Sequence, residues 1–225
     1  KDLIDLNIDQ SKIVVIENGI NLDKMTPPTK TIEEIEEEYN LSSNDFIISY
    51  IGTIGMAHGL DVVIRAAKKI NDQNIKFLII GDGSEKEYLL RKINDCNLDN
   101  VLIINSISWD EIINLNQIIS VNLIHLIKND VFKKVIPSKI FESMAMKKTI
   151  ISGVEGESKD IVVDSKSGYF MEPENEQSLI DNIKRLNNNK ELLISSGING
   201  YNFVINRYNR AKLADKMINF ISNKI

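Results

Sequence analysis

Short, almost continuous apolar runs alternate along most of this chain with stretches in which apolar residues recur at helical spacing. The runs predict strands at residues 46–51, 76–80, 101–104, 121–125 and 149–152. Strands that are apolar at nearly every position are typical of parallel sheets covered on both faces. Because helical patterns separate these strands, the sequence predicts an α/β fold with a Rossmann-like, doubly wound parallel sheet.

Helix starts are marked by capping sequences. Thr31 with Glu34, Ser84 with Glu87 and Ser108 with Glu111 each place a hydroxyl three residues before a carboxylate. A further short strand is predicted from Ile13 to Ile16, and residues 1–7 resemble the end of a helix. Three helices are predicted at the C-terminus, over 176–186, 191–204 and 210–221. The last of them carries an apolar face formed by Leu213, Met217, Phe220 and Ile221.

Composition narrows the function classes. The 225 residues carry a formal net charge of -5, with 43% hydrophobic and 26% charged residues, which is ordinary for one large or two small folded domains. No basic block is present, so nucleic acid is not an expected partner. Cys96 is the only cysteine, which excludes a disulfide framework and fits a reducing, cytoplasmic compartment. No apolar run approaches the length of a transmembrane helix.

Ligands of doubly wound sheets bind beyond the carboxyl ends of the strands. The loops that follow predicted strands are therefore the candidate binding elements, at residues 52–59, 81–83, 106–108, 128–138 and 153–158. His125 lies within an apolar strand, where a lone histidine is expected to be a satisfied core residue. His58 and His125 are too few and too far apart in sequence for a metal site.

The segment from Val135 to Met146 carries the clearest chemical pattern. Pro137 and Ser138 suit a helix start, and Lys139 and Glu142 are three residues apart, on one side of the first turn. Free amides and Lys139 could contact the oxygens of a diphosphate, and Glu142 could accept hydrogen bonds from ribose hydroxyls. The alternative is an ordinary capped helix with a surface Lys–Glu pair.

This segment resembles the PSK-x-FE-x-MA helix of group 1, GT-B glycosyltransferases, and in particular the branch that transfers N-acetyl-fucosamine-type sugars in surface-polysaccharide assembly. The resemblance implies that Glu142 holds the donor ribose. Residues 12–19 resemble the K-I-x-V-I-x-N-G sequence that opens the family's donor half, with Glu17 in place of the usual Pro. It follows that residues 12–225 form the donor-binding domain and residues 1–11 the tail of an acceptor domain or a linker. The acceptor domain itself is expected to be absent from this chain, which begins with Lys1.

The loop from Gly52 to Gly59 resembles the G-x-x-G-x-A-[QH]-G-L loop of the same branch. Many group 1 enzymes place an Arg and a Lys here against the donor diphosphate, where this chain has Thr53 and His58. We therefore expect His58 and Lys139 to stabilise the diphosphate together, as the catalytic side chains, with Gly52, Thr53, Gly55 and Ser138 at the donor. A purely structural role for His58 is the alternative. The family's further Glu at the donor sugar is replaced by Lys134.

Other donor-binding candidates rest on weaker similarity. Gly81 and Gly83 belong to a turn that resembles the family's G-D-G-P, whose role is mainly loop shape. Ile107 matches the place where the family contacts the base through backbone groups. Gly156 and Glu157 match a run at the donor sugar, with an acid-stabilised helix N-terminus as the alternative.

The resemblance implies transfer of a sugar, with retention of configuration, from a nucleoside diphosphate to an acceptor hydroxyl in polysaccharide or glycolipid synthesis. A UDP-linked N-acetyl sugar is the expected donor and a lipid-linked molecule the expected acceptor, without cofactor or metal. Peripheral membrane attachment is expected only through the missing half, and the fragment alone is expected to be inactive. Two alternatives stay open: a GT-B sugar-nucleotide 2-epimerase and a non-catalytic nucleotide-binding α/β module.

Overall fold

A single parallel sheet forms the centre of the molecule. The computed structural model describes residues 2–222, so Lys1 and the last three residues of the proposed donor domain lie outside the described part. The six strands lie in the order β3-β2-β1-β4-β5-β6, with all pairs parallel. Their bounds are β1 Phe46–Ile51, β2 Ile75–Ile80, β3 Val101–Ile104, β4 Val121–His125, β5 Thr149–Gly153 and β6 Gly168–Phe170. This is the predicted doubly wound α/β fold.

Helices cover both faces of the sheet. Ile48 of β1 packs in one core cluster, whereas its neighbour Ile47 packs in another on the opposite face, because successive strand residues point to opposite sides. The helices are α1 Asp2–Asp5, α2 Ile32–Tyr39, α3 Asp61–Lys69, α4 Lys86–Asp95, α5 Trp109–Leu115, α6 Lys139–Ala145, α7 Glu157–Asp164, α8 Glu176–Asn187, α9 Lys190–Arg207 and α10 Arg210–Ser222. The first cluster includes residues of α3, α4 and α8, and the other face is covered by α2, α5, α6 and α9.

Two of the predicted caps are present in the structure. The Thr31 hydroxyl accepts from the Glu34 amide, and the Glu34 carboxylate accepts from the Thr31 amide, which makes a complete capping box. Ser108 accepts from the amide of Glu111 at 3.2 Å. The prediction for Ser84 was wrong, because α4 is capped by Glu85 without any side-chain hydrogen bond.

Two strand predictions also need correction. Residues 13–16 do not form a strand: Val15 is 67% exposed, and the neighbouring β-bridge joins Ile20 to Asn209 instead. An apolar run becomes a strand only where another strand edge accepts its hydrogen bonds. Conversely, β6 was not predicted, and it pairs with β5 at the edge of the sheet, where Gly168 lies opposite Ile150. Its three residues are too few for a periodic pattern.

The last helix buries only part of its apolar face. Leu213 is buried, whereas Met217 is 49% and Ile221 46% exposed. Among the described residues, no helix combines the length and apolar character that crossing a membrane requires.

Candidate functional site

The site lies where the strand order reverses. The chain proceeds outward from β1 through β2 to β3 and then returns to place β4 on the other side of β1. The loops after β1 and β4 therefore leave the sheet in opposite directions and open a crevice between them, which is where such sheets bind ligands. The loop after β4 leads through residues 126–138 into α6, so α6 begins beside this crevice.

Lys139 joins the two sides of the crevice. Its Cε and Nζ lie directly against Gly52, so that a Cβ atom on Gly52 would overlap both of them. Gly52 also has φ +143°, a conformation that side chains with a Cβ atom rarely adopt. The glycine is therefore needed both for its backbone conformation and for the passage of the lysine side chain, which brings the ammonium group over the first residue of the loop.

Glu142 lines the same pocket as Lys139. Both residues line a small pocket of about 20 Å³, together with Trp109, Ser143 and residues of strand β4. Glu142 also lines a second, larger pocket of about 490 Å³, which it shares with Trp109 and Met25. Glu142 is half-buried and thus faces a cleft instead of packed hydrocarbon.

The N-terminus of α6 has fewer free amides than the sequence suggested. The amides of Ile140 and Phe141 donate to Pro137 and Ser138, and the amide of Glu142 donates to Ser138 as well. Ser138 is exposed, and its hydroxyl makes no capping hydrogen bond to the helix. Since the tight turn at the start of α6 already provides acceptors for these three amides, the Lys139 side chain is better placed than they are to contact an anion here.

His58 is half-buried at the other end of the loop after β1. Its ring contacts Tyr50 edge-on, with 5.8 Å between ring centroids. Burial, and next the positive charge of Lys139, lower the pKa of His58 below its ordinary value, while a hydrogen bond with His125 acts in the opposite direction. His58 is therefore neutral at pH 7, and it would gain a proton more readily if an anion bound between it and Lys139.

The glycines after β2 shape this loop from behind. A Cβ atom on Gly81 would overlap the carbonyl oxygen of Gly52, and one on Gly83 would overlap that of Ile54. The Ile54 amide donates to the backbone carbonyl oxygen of Asp82 at 2.8 Å. Gly81 and Gly83 thus let the loop after β2 pack closely against the loop after β1. The atoms nearest to both glycines are backbone atoms of the loop after β1.

The family model for group 1 glycosyl transferases matches residues 31–203. The chain belongs to the group 1 glycosyltransferases. A UDP-Gal:α-D-GlcNAc-diphosphoundecaprenol α-1,3-galactosyltransferase of Escherichia coli is 28% identical over 239 residues, an alignment that covers 98% of this chain and 57% of the relative. The chain thus spans little more than half the length of that relative.

Solved structures agree with this assignment. A glycosyltransferase of Rickettsia africae superimposes with a TM-score of 0.76 at 25% identity, covering 95% of this chain and 57% of that one. Anabaena HepE in complex with UDP-glucose reaches a TM-score of 0.81, over 93% of this chain and 57% of its own, but at 15% identity this match shows the fold alone. The Rossmann-like sheet is therefore that of a GT-B glycosyltransferase.

Two of the predicted donor-binding residues of this glycosyltransferase chain, Gly156 and Glu157, lie apart from Lys139 and Glu142. Gly156 has φ +71° and packs against the carbonyl of Lys133. Glu157, the first residue of α7, is exposed and lines a different pocket, together with Glu17 and Arg207. The pocket that holds Lys139 and Glu142 does not include it.

Thr53, Gly55 and Ile107 are the remaining donor-binding candidates from the sequence. Thr53 is exposed, and its carbonyl accepts from the Tyr50 hydroxyl at 2.7 Å. A Cβ atom on Gly55 would make only ordinary van der Waals contacts, with Thr53 Cγ2 the nearest atom at 3.7 Å. Ile107 is half-buried and packs against the core beneath α2 and α5. No group of three or more His, Cys, Asp or Glu side chains suited to a metal ion occurs within residues 2–222.

Trp109 lies beside Glu142 but was not among the residues predicted from the sequence. It is the first residue of α5, it lines both pockets beside Glu142, and its indole N–H donates to the Lys24 carbonyl at 2.8 Å. The sequence offered one signal, since the only tryptophan of the chain stands two residues after Ile107. That signal could not show that α5 turns the indole ring toward α6.

Proposed function

We propose that this chain is the donor-binding part of a retaining glycosyltransferase. It would bind a nucleoside diphosphate sugar, with UDP as the nucleotide and an N-acetyl sugar as the transferred group, for transfer to an acceptor hydroxyl. The observation that carries the proposal is the arrangement at the switch point of the sheet, where the Lys139 ammonium crosses Gly52 and Glu142 lines the same pocket.

The diphosphate would lie between Lys139 and the loop after β1. Negative charge grows on a departing diphosphate as the glycosidic bond breaks, so a fixed cation there favours the transition state over the ground state. Lys139 supplies this charge, and His58 supplies a hydrogen-bond donor that becomes cationic when the anion raises its pKa. In this arrangement the bound diphosphate would also be surrounded by the other predicted donor-binding residues of the two loops, which are Gly52, Thr53, Gly55 and Ser138.

The nucleoside would extend from the diphosphate toward α5. A carboxylate can accept hydrogen bonds from both hydroxyls of a ribose, which suits Glu142 at the wall between the two pockets. The indole of Trp109 offers an aromatic face beside it, where a base could stack. Ile107 precedes this tryptophan and presents backbone groups at the same edge of the sheet.

The acceptor side is proposed from the relatives. The name of the E. coli relative includes a UDP-linked sugar and a diphosphoundecaprenol acceptor, which supports a UDP donor and a lipid-linked acceptor for this chain. A second domain would bring that acceptor to the crevice and could attach the protein to the membrane surface from the cytoplasmic side. Residues 12–225 would then bind donor and catalyse no transfer alone, without a metal or cofactor. The N-acetyl-fucosaminyl branch remains part of this proposal.

Calorimetric titration with UDP tests the assignment. The starting protein is expected to bind, and Lys139→Ala and Glu142→Ala are each expected to weaken binding about tenfold or more, since each removes a charged hydrogen-bonding partner worth about 1.5–3 kcal/mol. Lys184→Ala on α8 and Glu37→Ala on α2 remove the same charges from exposed positions away from the pocket and serve as matched controls. Equal heats for all five proteins would remove the two assignments.

A further inference from the structure

A buried histidine lies beneath the loop that carries His58. His125 is the last residue of β4 and is 1% exposed. Its Nδ1 lies 2.7 Å from the carbonyl oxygen of His58, and its Nε2 accepts from the amide of Glu174 at 2.9 Å. Both ring nitrogens are thus engaged, one by the loop after β1 and the other by the turn between β6 and α8.

These two contacts fix the protonation state of the ring. The Glu174 amide can only donate, so Nε2 of His125 must be the unprotonated nitrogen. Nδ1 then carries the proton and donates it to the His58 carbonyl. Burial lowers the pKa of His125, in agreement with a neutral ring. A single tautomer therefore connects two loops that are far apart in sequence.

The imidazole occupies a slot bounded by two glycines. A Cβ on Gly153 would overlap the ring, and a Cβ on Gly59 would lie 3.3 Å from its Cε1. The Ile127 amide also donates to the Ala57 carbonyl at 2.9 Å. Two consecutive carbonyls of the short helical turn at Met56–His58 are therefore held from the β4 side, one by backbone and one by the His125 side chain.

The turn on the other side of His125 is itself firmly held. Glu174 has φ +61°, an uncommon conformation for a residue that is not glycine. Its carbonyl accepts from Arg65 at 2.7 Å, and its carboxylate accepts from the Lys128 amide at 2.9 Å. His125 thus bonds to a turn anchored at two further points and can hold the His58 loop against a fixed support.

We propose that His125 is a positioning residue for the donor site, acting through His58. By holding the His58 carbonyl it fixes the turn that sets the direction of the His58 ring beside Lys139. This inference rests on the proposed function, because it assumes that the ring of His58 meets the donor diphosphate. Loss of the His125 side chain leaves the Ile127 backbone bond in place, so the loop keeps its course while the ring loses its orientation.

Substitutions at His125 and His58 test the inference by UDP titration. His125→Leu removes both hydrogen bonds and is expected to weaken binding about tenfold, the effect of losing roughly one oriented contact. His125→Asn keeps a donor near the Nδ1 position and is expected to restore most of the affinity. In a His58→Ala background, His125→Leu is expected to have no further effect, since its role passes through His58.

One control separates this role from simple stability, and one measurement checks the tautomer directly. Val121→Ala removes two methyl groups from a fully buried position on the same strand. It is expected to lower the melting temperature without changing UDP affinity. Long-range ¹⁵N–¹H NMR spectra should show His125 protonated at Nδ1 in the intact protein.

The outcomes are distinguishable. UDP binding by the starting protein, with the same loss from His125→Leu whether or not His58 is present, would overturn the positioning role and leave the proposed function intact. A folded His125→Leu variant with unchanged affinity would do the same, as would a ring protonated at Nε2. Absence of UDP binding by the starting protein would overturn the proposed function itself, and the positioning role with it.

Discussion

Replacing Gly52 with alanine tests whether this glycine exists to make room for Lys139. The added Cβ would overlap the Cε and Nζ atoms of Lys139. The end of a lysine side chain is flexible, so we expect the ammonium group to swing away from the crevice while the fold persists. The substitution would then remove the positive charge from the site without changing the charged residue itself.

Two effects of different size are expected from this variant. The backbone conformation at φ +143° is strained for any residue with a Cβ, which costs on the order of 1–3 kcal/mol of stability. Displacement of Lys139 loses a charge-assisted hydrogen bond to the donor, worth about 1.5–3 kcal/mol, or roughly a ten- to 150-fold weaker affinity for UDP. The first effect appears in unfolding and the second in binding.

Urea unfolding and UDP calorimetry measure the two effects separately. Gly55→Ala is the stability control from the same loop, since Gly55 has φ -129° and no atom closer than 3.7 Å to an added Cβ. The double variant Gly52→Ala with Lys139→Ala is expected to bind UDP as weakly as Lys139→Ala alone. If the folded Gly52→Ala protein binds as tightly as the starting protein, or if the two losses in affinity add in the double variant, the reasoning is refuted.

Two further predictions concern protonation. His58 has a lowered pKa in the free protein, and a bound diphosphate would raise this pKa. Affinity for a UDP-sugar should therefore increase as the pH falls from 7.5 to 6, and calorimetry in buffers of different ionisation enthalpy should show proton uptake on binding. The His58→Gln variant should show neither effect. Lys148 is largely buried, and burial lowers its pKa to about 8, so the unfolded chain binds more protons above that pH. Stability against urea should therefore rise between pH 8 and 9.5, by at most about 2 kcal/mol, and a flat profile in the starting protein, or an equal rise in Lys148→Met, would contradict this.

Local chemistry in the sequence was enough to predict most of the elements. The five strands predicted from the sequence are apolar at most positions because helices cover both faces, and this nearly continuous pattern is visible without knowing their neighbours. Thr31 and Ser108 cap their helices as their spacing predicted, since a cap depends only on residues within one turn. The apolar run at residues 13–16 failed as a strand because pairing depends on a distant partner.

The candidate site was predictable to the same extent. Lys139 and Glu142 could be placed on one side of α6 from their spacing, and they do line one pocket. The family resemblance named the loop of His58 as its neighbour. Glu157 was also a donor-binding candidate in the sequence, yet the position of α7 places it at a separate pocket.

The sequence by itself determined five of the six strands of the parallel sheet, most of the helices between them and the chemistry carried by the α6 segment, because each of these depends on neighbouring residues. Only the tertiary structure decided that Lys139 crosses Gly52, that Trp109 lines the same pockets as Glu142 and that His125 holds the His58 loop. Each of these contacts joins residues separated by tens of positions, and they meet because the strand order reverses between β1 and β4.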